Sequence, residues 1–310
     1  MKVAQLTNFE GSNGIEIKDV EKPKITEGGI LVQVHAAGVN PIDWKITHGI
    51  MPVTLPMIMG GDFSGTVLEV GANIPNFKVN DEVYGQAPAF AGGAGTFAEF
   101  ALANANTIAL KPINLNFNEA GALPLVGVSA LQGLTEHINL QKDQKILIHG
   151  GAGGIGSIAI QIAKNIGAHV ATTVSPNDME YIKKLGADEI IDYKSQKFEE
   201  LLSDYDAVFD CVGKDTYKQS FKVLKKGGII VSMLEEPDEA LMKHYGITSI
   251  LQQTRVTTKR LDKLTQLVEQ GVISVHVEKT FPLDQAAEAL YYLEHTPPQG
   301  KIVINIKEQL

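Results

Sequence analysis

The spacing of apolar residues along the chain changes character twice. Over residues 1–117, apolar and polar positions alternate in short runs broken by glycine and proline, which predicts strands at 1–7, 16–20, 30–37, 66–70, 81–84 and 96–101. Residues 36–49 read as a strand end passing into a polar loop or short helix, and 91–95 as a glycine-rich loop. Short strands with this punctuation predict an antiparallel, barrel-like domain. From 118 to 133 the chain turns to small apolar residues, NEAGALPLVGVSALQG, which predict helix in spite of the glycines and the proline. Strands at 145–149, 169–174, 189–192, 207–210 and 228–232 then alternate with helices at 155–167, 178–185, 198–202 and 216–224. That alternation predicts an α/β fold with a parallel, doubly wound sheet. Lys225, Lys226, Gly227 and Gly228 read as a helix end followed by a turn. Beyond 237 the pattern loosens into helices at 238–244, 259–269 and 284–293 and strands at 247–251 and 300–306.

The sharpest chemical signal lies at 145–164, KILIHGGAGGIGSIAIQIAK. An apolar strand runs into glycines, and the apolar spacing becomes helical at Ile155. Gly151, Gly153 and Gly156 stand in the G-x-G-x-x-G register, which allows a tight turn, close backbone approach to a pyrophosphate, and close helix-strand packing. The free N–H groups and positive end of the following helix would face the phosphates. The flanking strands and helix fall where a βαβ unit needs them, so a dinucleotide site is expected here.

Composition narrows the classes. At 310 residues the chain exceeds the usual span of one hydrophobic core, so two domains are expected. With 36 acidic against 27 basic side chains, and arginine only at 255 and 260, nucleic acid is not expected as a partner. The single cysteine, Cys211, allows neither an internal disulfide nor a cysteine-built metal site, and its setting AVFDCVG suggests a small buried apolar role. No apolar run approaches the roughly 18 residues of a membrane span and no signal-like core opens the chain, so a cytoplasmic protein off the membrane is expected.

An NAD site commonly has an acid at the end of the second strand, for the ribose hydroxyls. Here Thr172, Thr173 and Ser175 occupy that stretch, while Asp178 reads as the cap of the next helix. Ser175 and Asn177 could donate to a 2′-phosphate, and Tyr193 could add a hydroxyl, so NADP is favoured. The usual basic residue just after the strand is missing, and Lys183, Lys184 or Lys194 would have to reach. The eight histidines show no paired ligand spacing, and no bound metal is expected.

Several segments together resemble the zinc-independent quinone oxidoreductase branch of the medium-chain dehydrogenase/reductase superfamily. They are AGVNPIDWK (37–45), GGDFSGTVLEVG (60–71), VNDEVYG (79–85), GTFAEF (95–100), ALPLVGVSALQGL (122–134), HGGAGGIGSIAIQIAK (149–164), LGAD (185–188) and GKIVINI (300–306). The resemblance implies a GroES-like catalytic domain over 1–117 and 253–310, a Rossmann NADP-binding domain over 118–252, and an active site in the cleft between them. It also implies a homodimer paired through 247–251. Asn40 stands where zinc-dependent relatives carry a cysteine ligand, Asp62 and Phe63 where they carry a ligand histidine, and residues 89–95 hold none of their structural cysteines. Loss of the Lewis acid favours an already activated acceptor, a quinone or an α,β-unsaturated carbonyl, reduced by NADPH.

On that resemblance Gly151, Gly153, Gly154, Ile155 and Gly156 would hold the pyrophosphate, with Ser175 and Tyr193 at the adenosine ribose phosphate. Val126 and Ser129 would lie beside the nicotinamide, or simply pack a helix. Asn40 would be near the nicotinamide ribose or the substrate. Asp43 and Lys45, on one polar loop, could pair or orient substrate, or be a plain surface pair. Asp62 reads either as a buried acceptor for the Asn40 loop or as a site residue. Other readings are enoyl-thioester reduction, a non-catalytic NADPH-binding protein like the crystallin-type relatives, or a redox-responsive interaction partner.

Overall fold

The computed structural model describes residues 1–307; residues 308–310, the end of the expected 253–310 segment, lie outside the described part. The chain divides into two compact units, Met1–Leu125 with Val256–Gly271 and Val275–Leu310, and Val126–Arg255 with Val272–Ser274.

The first unit is built on a seven-stranded sheet in the order Val277–Pro282, Lys301–Asn305, Gly29–Gly38, Asp62–Val70, Glu82–Gln86 and Ile108–Leu110, with Phe100–Asn104 also paired to Gly29–Gly38. All pairs are antiparallel except the first. A smaller antiparallel sheet joins Ile15–Asp19, Lys2–Leu6 and Met57–Ile58. Val32, Phe63, Val67, Val83 and Ile108 form one core, and Leu6, Ile46, Met59, Phe97, Leu290 and Ile304 belong to another. The central strand Gly29–Gly38 is covered on both faces, which is why its sequence is almost continuously apolar.

Three expectations change here. The strand expected at 66–70 begins at Asp62, because Gly65 lets it approach its neighbour: a Cβ there would lie 2.1 Å from the Gln33 carbonyl oxygen. The strand expected at 96–101 forms instead at Phe100–Asn104, since Thr96 and Phe97 both donate their N–H groups to the Met59 carbonyl. The helix expected at 118–133 is two helices, Phe117–Ala122 and Pro124–Gln132, broken where Pro124 lacks an N–H for the preceding turn. Asn116 and Glu119 close a reciprocal capping box on the first of them.

The second unit carries a six-stranded, wholly parallel sheet: Glu189–Asp192, His169–Val174, Lys145–His149, Tyr205–Asp210, Leu224–Ser232 and Thr248–Leu251. Numbered along the chain this is the order 3-2-1-4-5-6 of the doubly wound dinucleotide fold. The helix Gly154–Ile166 returns the chain from the first strand to the second and ends at Gly167 with φ +91°, a left-handed stop that glycine adopts freely. Residues 225–228 are not a helix end. They form an irregularity inside the strand Leu224–Ser232, exposed at 225–227, where the register shifts opposite Tyr205 and Ala207, and the preceding helix Lys214–Ser220 stops earlier.

Candidate active site

In the second unit the glycine turn can be tested residue by residue. A Cβ on Gly151 would fall 2.1 Å from the Thr172 hydroxyl oxygen, and one on Gly156 would fall 2.2 Å from the Gly150 carbonyl oxygen. Both glycines are therefore required by packing. A Cβ on Gly153 would meet no protein atom closer than 3.5 Å. Packing alone leaves room for a Cβ at Gly153. Gly153 is also the N-cap of the helix Gly154–Ile166 and places no side chain on the first-turn N–H groups. Those donors, from Gly154, Ile155 and Gly156, fit an anion.

The turn is anchored from below. Gly151 donates to the Thr173 carbonyl at 3.2 Å, and the buried His149 ring lies between the Thr173 hydroxyl at 3.0 Å and the Ser220 hydroxyl at 2.9 Å. Ser220 gives its own proton to the Thr216 carbonyl, so His149 Nε2 donates and Nδ1 accepts from Thr173. Burial pushes the His149 pKa down to about 3, so the ring stays neutral and serves as a strut.

At the end of the second strand Tyr193, 56% exposed, donates its backbone N–H to the Val174 carbonyl at 3.2 Å and so stands beside the stretch that leads to Ser175. Asp178 occupies the N-cap position of Met179–Lys184, but no side-chain cap forms. Its Oδ2 instead accepts the Ser175 hydroxyl at 2.6 Å. The capping expectation for Asp178 is therefore corrected: the turn through Pro176 brings the carboxylate back to Ser175. Val126 and Ser129 are both buried. The Ser129 hydroxyl lies 2.7 Å from that of Thr254, and its carbonyl accepts from Gln252 at 2.9 Å, so this part of the helix carries internal packing contacts. Cys211 follows the strand Tyr205–Asp210, and burial pushes its thiol pKa well up.

The first unit holds a buried polar cluster. Asn40 Nδ2 donates to Asp62 Oδ2 at 2.9 Å, while Asn40 Oδ1 accepts from Lys301 Nζ at 2.5 Å. Lys301 also donates to the Val39 carbonyl. Asp62 is completely buried and accepts two further donors, Gln86 Nε2 at 2.7 Å and the Leu125 N–H at 3.1 Å. An ammonium can only donate and a carboxylate can only accept, so the two partners fix the orientation of the Asn40 amide. Asp43 is buried below, its carboxylate receiving the Asn40 N–H at 2.8 Å.

The expected pairing of Asp43 with Lys45 does not form. Positions two apart on the helix Pro41–Thr47 point to different sides, so Asp43 turns into the cluster while Lys45 Nζ lies 5.9 Å from the centre of the Trp44 ring. Nor is Asp43 a surface residue. Burial pushes its pKa up to about 7, with Asp62 adding repulsion, and burial pulls Lys301 down to about 8 against the attraction of the two carboxylates. Burial raises Asp62 as well, and Lys301 together with its three N–H donors draws it back toward ionisation. Lys301 and Gln86 were invisible as site residues in the sequence. The one signal was a lysine inside GKIVINI, a strand otherwise almost wholly apolar.

This cluster does not suit a metal ion. Its two carboxamide and carboxylate side chains are bonded to each other, and an ammonium fills the cation position beside them. Among the described residues no group of three or more His, Cys, Asp or Glu side chains is arranged to hold one.

The chain matches the alcohol dehydrogenase GroES-like domain over residues 26–113 and the zinc-binding dehydrogenase family over 185–304. It is 34% identical to the 2-methylene-furan-3-one reductase of Solanum lycopersicum, over 98% of this chain and 79% of the relative. The quinone oxidoreductase of Coxiella burnetii superposes with a TM-score of 0.92 at 32% identity, over 99% of both chains. That of Escherichia coli, solved in complex with NADPH, superposes at 0.90 with 26% identity, over 99% of this chain and 100% of the other. The fold and the two sites thus define a GroES-like unit joined to a Rossmann unit. The chain belongs to the medium-chain dehydrogenase/reductase superfamily, in its zinc-independent quinone and enone oxidoreductase branch.

Three outcomes follow from this geometry. Gly153→Ala should fold normally, with a thermal midpoint within about 5 °C of wild type, yet lose NADPH affinity by at least about tenfold, whereas Gly156→Ala should lose stability by about 1–3 kcal/mol; calorimetry and fluorescence titration separate them. Lys301→Met, which strands two buried carboxylates, should cost about 3–5 kcal/mol in urea denaturation, and adding Asp62→Asn should recover part of it. Asp43 has a folded pKa raised above its unfolded value, so its contribution to stability is full below about pH 4 and lost as pH rises through about 7. Wild type should therefore lose stability relative to Asp43→Asn between pH 4.5 and 7.5, and parallel urea midpoints across that window would contradict the assignment.

Proposed function

We propose that the protein is an NADPH-dependent, zinc-independent reductase that delivers hydride to a quinone or an α,β-unsaturated carbonyl. The observation that carries this reading is the glycine turn, where packing demands Gly151 and Gly156 but leaves room at Gly153 above an uncapped helix N-terminus. The relatives support the substrate class, through the names of the tomato enone reductase and the Coxiella and Escherichia quinone oxidoreductases. When bound, the reduced dinucleotide supplies hydride from its dihydronicotinamide ring.

The chain's own residues bind and orient. Gly151, Gly153, Gly154, Ile155 and Gly156 hold the pyrophosphate through backbone N–H groups, with Ser175 and Tyr193 at the adenosine ribose. Val126 and Ser129 line the nicotinamide half. Asn40, locked by Lys301 and Asp62, keeps its second amide N–H for a ribose hydroxyl or the developing oxyanion, and Asp43 holds its backbone. Lys45, stacked over Trp44, orients the acceptor from outside the cluster. A conjugated acceptor needs no metal to polarise it, and solvent can deliver the final proton.

No helix of the described residues is long and apolar enough to cross a membrane. We place the enzyme in the cytoplasm as a homodimer, each sheet extended along its terminal strand Thr248–Leu251, with no nucleic acid partner. The deciding experiment is an NADPH-oxidation screen over 9,10-phenanthrenequinone, alkenals and acyl thioesters, with and without chelator. Turnover of a quinone or enone that chelator leaves unchanged is the expected result. NADPH binding without turnover across the panel would point instead to a non-catalytic role.

A further inference from the structure

We propose that Asp210 is a fixed negative charge that favours the oxidised, cationic form of the coenzyme, so that the site becomes more complementary to the dinucleotide as hydride leaves it. The inference rests on the dinucleotide reading of the glycine turn and concerns the other half of that site. At the carboxyl end of the six-stranded sheet, Thr173, His149, Asp210 and Ser232 stand side by side in the register of four neighbouring strands, all of them buried. Thr173 and His149 brace the glycine turn. Asp210 ends the fourth strand along the chain and Ser232 ends the fifth, so both belong to the second mononucleotide-binding half of the order 3-2-1-4-5-6. The glycine turn lies in the first half with the adenosine end, which leaves the second half to the nicotinamide end.

Hydrogen bonding fixes the charge on Asp210. Its Oδ1 accepts the Val212 N–H at 3.0 Å and the Gly213 N–H at 2.9 Å, and its Oδ2 accepts the Ser232 hydroxyl at 2.9 Å. The Ser232 oxygen is itself filled, receiving the Leu234 N–H at 3.2 Å and the Glu235 N–H at 3.1 Å. The hydroxyl proton therefore points at Asp210, and the carboxyl group has no oxygen left from which to donate: it is a carboxylate. It is completely buried, and none of the ion pairs among the described residues involves it. Two N–H groups and a hydroxyl satisfy its oxygens but bring no net charge. Nor does the adjacent His149 ring, which burial keeps neutral. The charge is felt one residue away, where burial pushes the Cys211 thiol up and repulsion from Asp210 adds to the rise.

The charge balance of hydride transfer gives this carboxylate its role. A C–H bond of the dihydronicotinamide breaks, its hydrogen leaves with both electrons, and a C–H bond forms at the electrophilic carbon of the acceptor. The ring passes from neutral to cationic and the acceptor from neutral to anionic, after which solvent protonates the acceptor oxygen. A fixed negative charge at the strand ends gains attraction to the ring during that step and has little before it, which is the condition for lowering a barrier. Neutral hydrogen-bonding groups would orient the ring without separating its two oxidation states in this way. The same attraction holds the oxidised product more tightly than a neutral site would.

Calorimetric titration of the coenzyme-free protein with NADPH, NADP+ and 2′-phospho-ADP-ribose, which lacks the nicotinamide, tests this. Asp210→Asn keeps an oxygen for the Val212 and Gly213 N–H groups and removes the charge. It should raise the ratio of the NADP+ dissociation constant to that of NADPH by about tenfold and leave 2′-phospho-ADP-ribose within about twofold of wild type. Asp210→Asn combined with Ser232→Ala leaves no hydroxyl proton stranded and should give the same shift, which guards against misfolding of the single variant. Ser232→Ala alone keeps the charge, so it should move both coenzymes together and leave their ratio as in wild type. An unchanged ratio in the charge-free variants overturns the proposal, and so does an equal shift in Ser232→Ala, which would make the effect one of shape. Failure of the wild type to bind any of the three ligands overturns the dinucleotide reading itself, and the proposal with it.

Discussion

The first unit depends on one side-chain amide. Asn40 joins the Lys301 ammonium to the Asp62 carboxylate, and each of the three comes from a different part of the chain. Asn40 ends the turn after the central strand, Asp62 opens its neighbour, and Lys301 begins the strand that returns from the far end of the sequence. A buried ammonium and two buried carboxylates carry a large desolvation cost, which only a fully bonded arrangement offsets. The cluster therefore specifies register as well as charge: sliding Lys301–Asn305 by one residue would turn Lys301 to the other face and leave Asp62 and Asp43 uncompensated. The unit is discontinuous, its last strand being supplied from beyond residue 300, and the cluster ties that strand to the start of the unit.

The same cluster accounts for what the positions left by a metal site have become. Asn40 and Asp62 stand where zinc-dependent relatives carry ligands, and here they bond to each other with a fixed cation alongside. Charge compensation has been transferred from an exchangeable ion to the polypeptide. The consequence is chemical. An ammonium held by an amide oxygen and a backbone carbonyl can offer a hydrogen bond but not the coordination of a Lewis-acid ion, so the acceptor has to be electrophilic on its own account. That is the physical link between the residues of the first unit and a quinone or enone as substrate.

The second unit was largely legible because its signals are local. The strands 145–149, 169–174 and 189–192 occupy the residues their apolar runs suggested, and Gly167 stops the helix where a left-handed residue is needed. Reading failed where tertiary contact overrode local pattern. The strand was expected only from residue 66, yet it begins at Asp62, and Gly65 is the reason two strands can lie close enough to pair. Asp43 and Lys45 could be read as a pair on one polar loop, but the segment is a helix whose geometry sends them apart. Lys301 could not be assigned a role without knowing that the final strand lies beside Asn40. Such long-range partners leave no periodic trace; they show only as a charged residue out of place in an apolar run.

Asp178 shows the same limit at shorter range. Three residues separate it from Ser175, and capping preference alone assigns it to the next helix. The turn through Pro176 decides otherwise, and with it the direction of the Ser175 proton. Whether a hydroxyl at a strand end donates or accepts depends on its neighbour, so a serine in place of the usual acid does not by itself signal a phosphate. Here the acid stands three residues beyond Ser175 and the turn brings its carboxylate back to that hydroxyl.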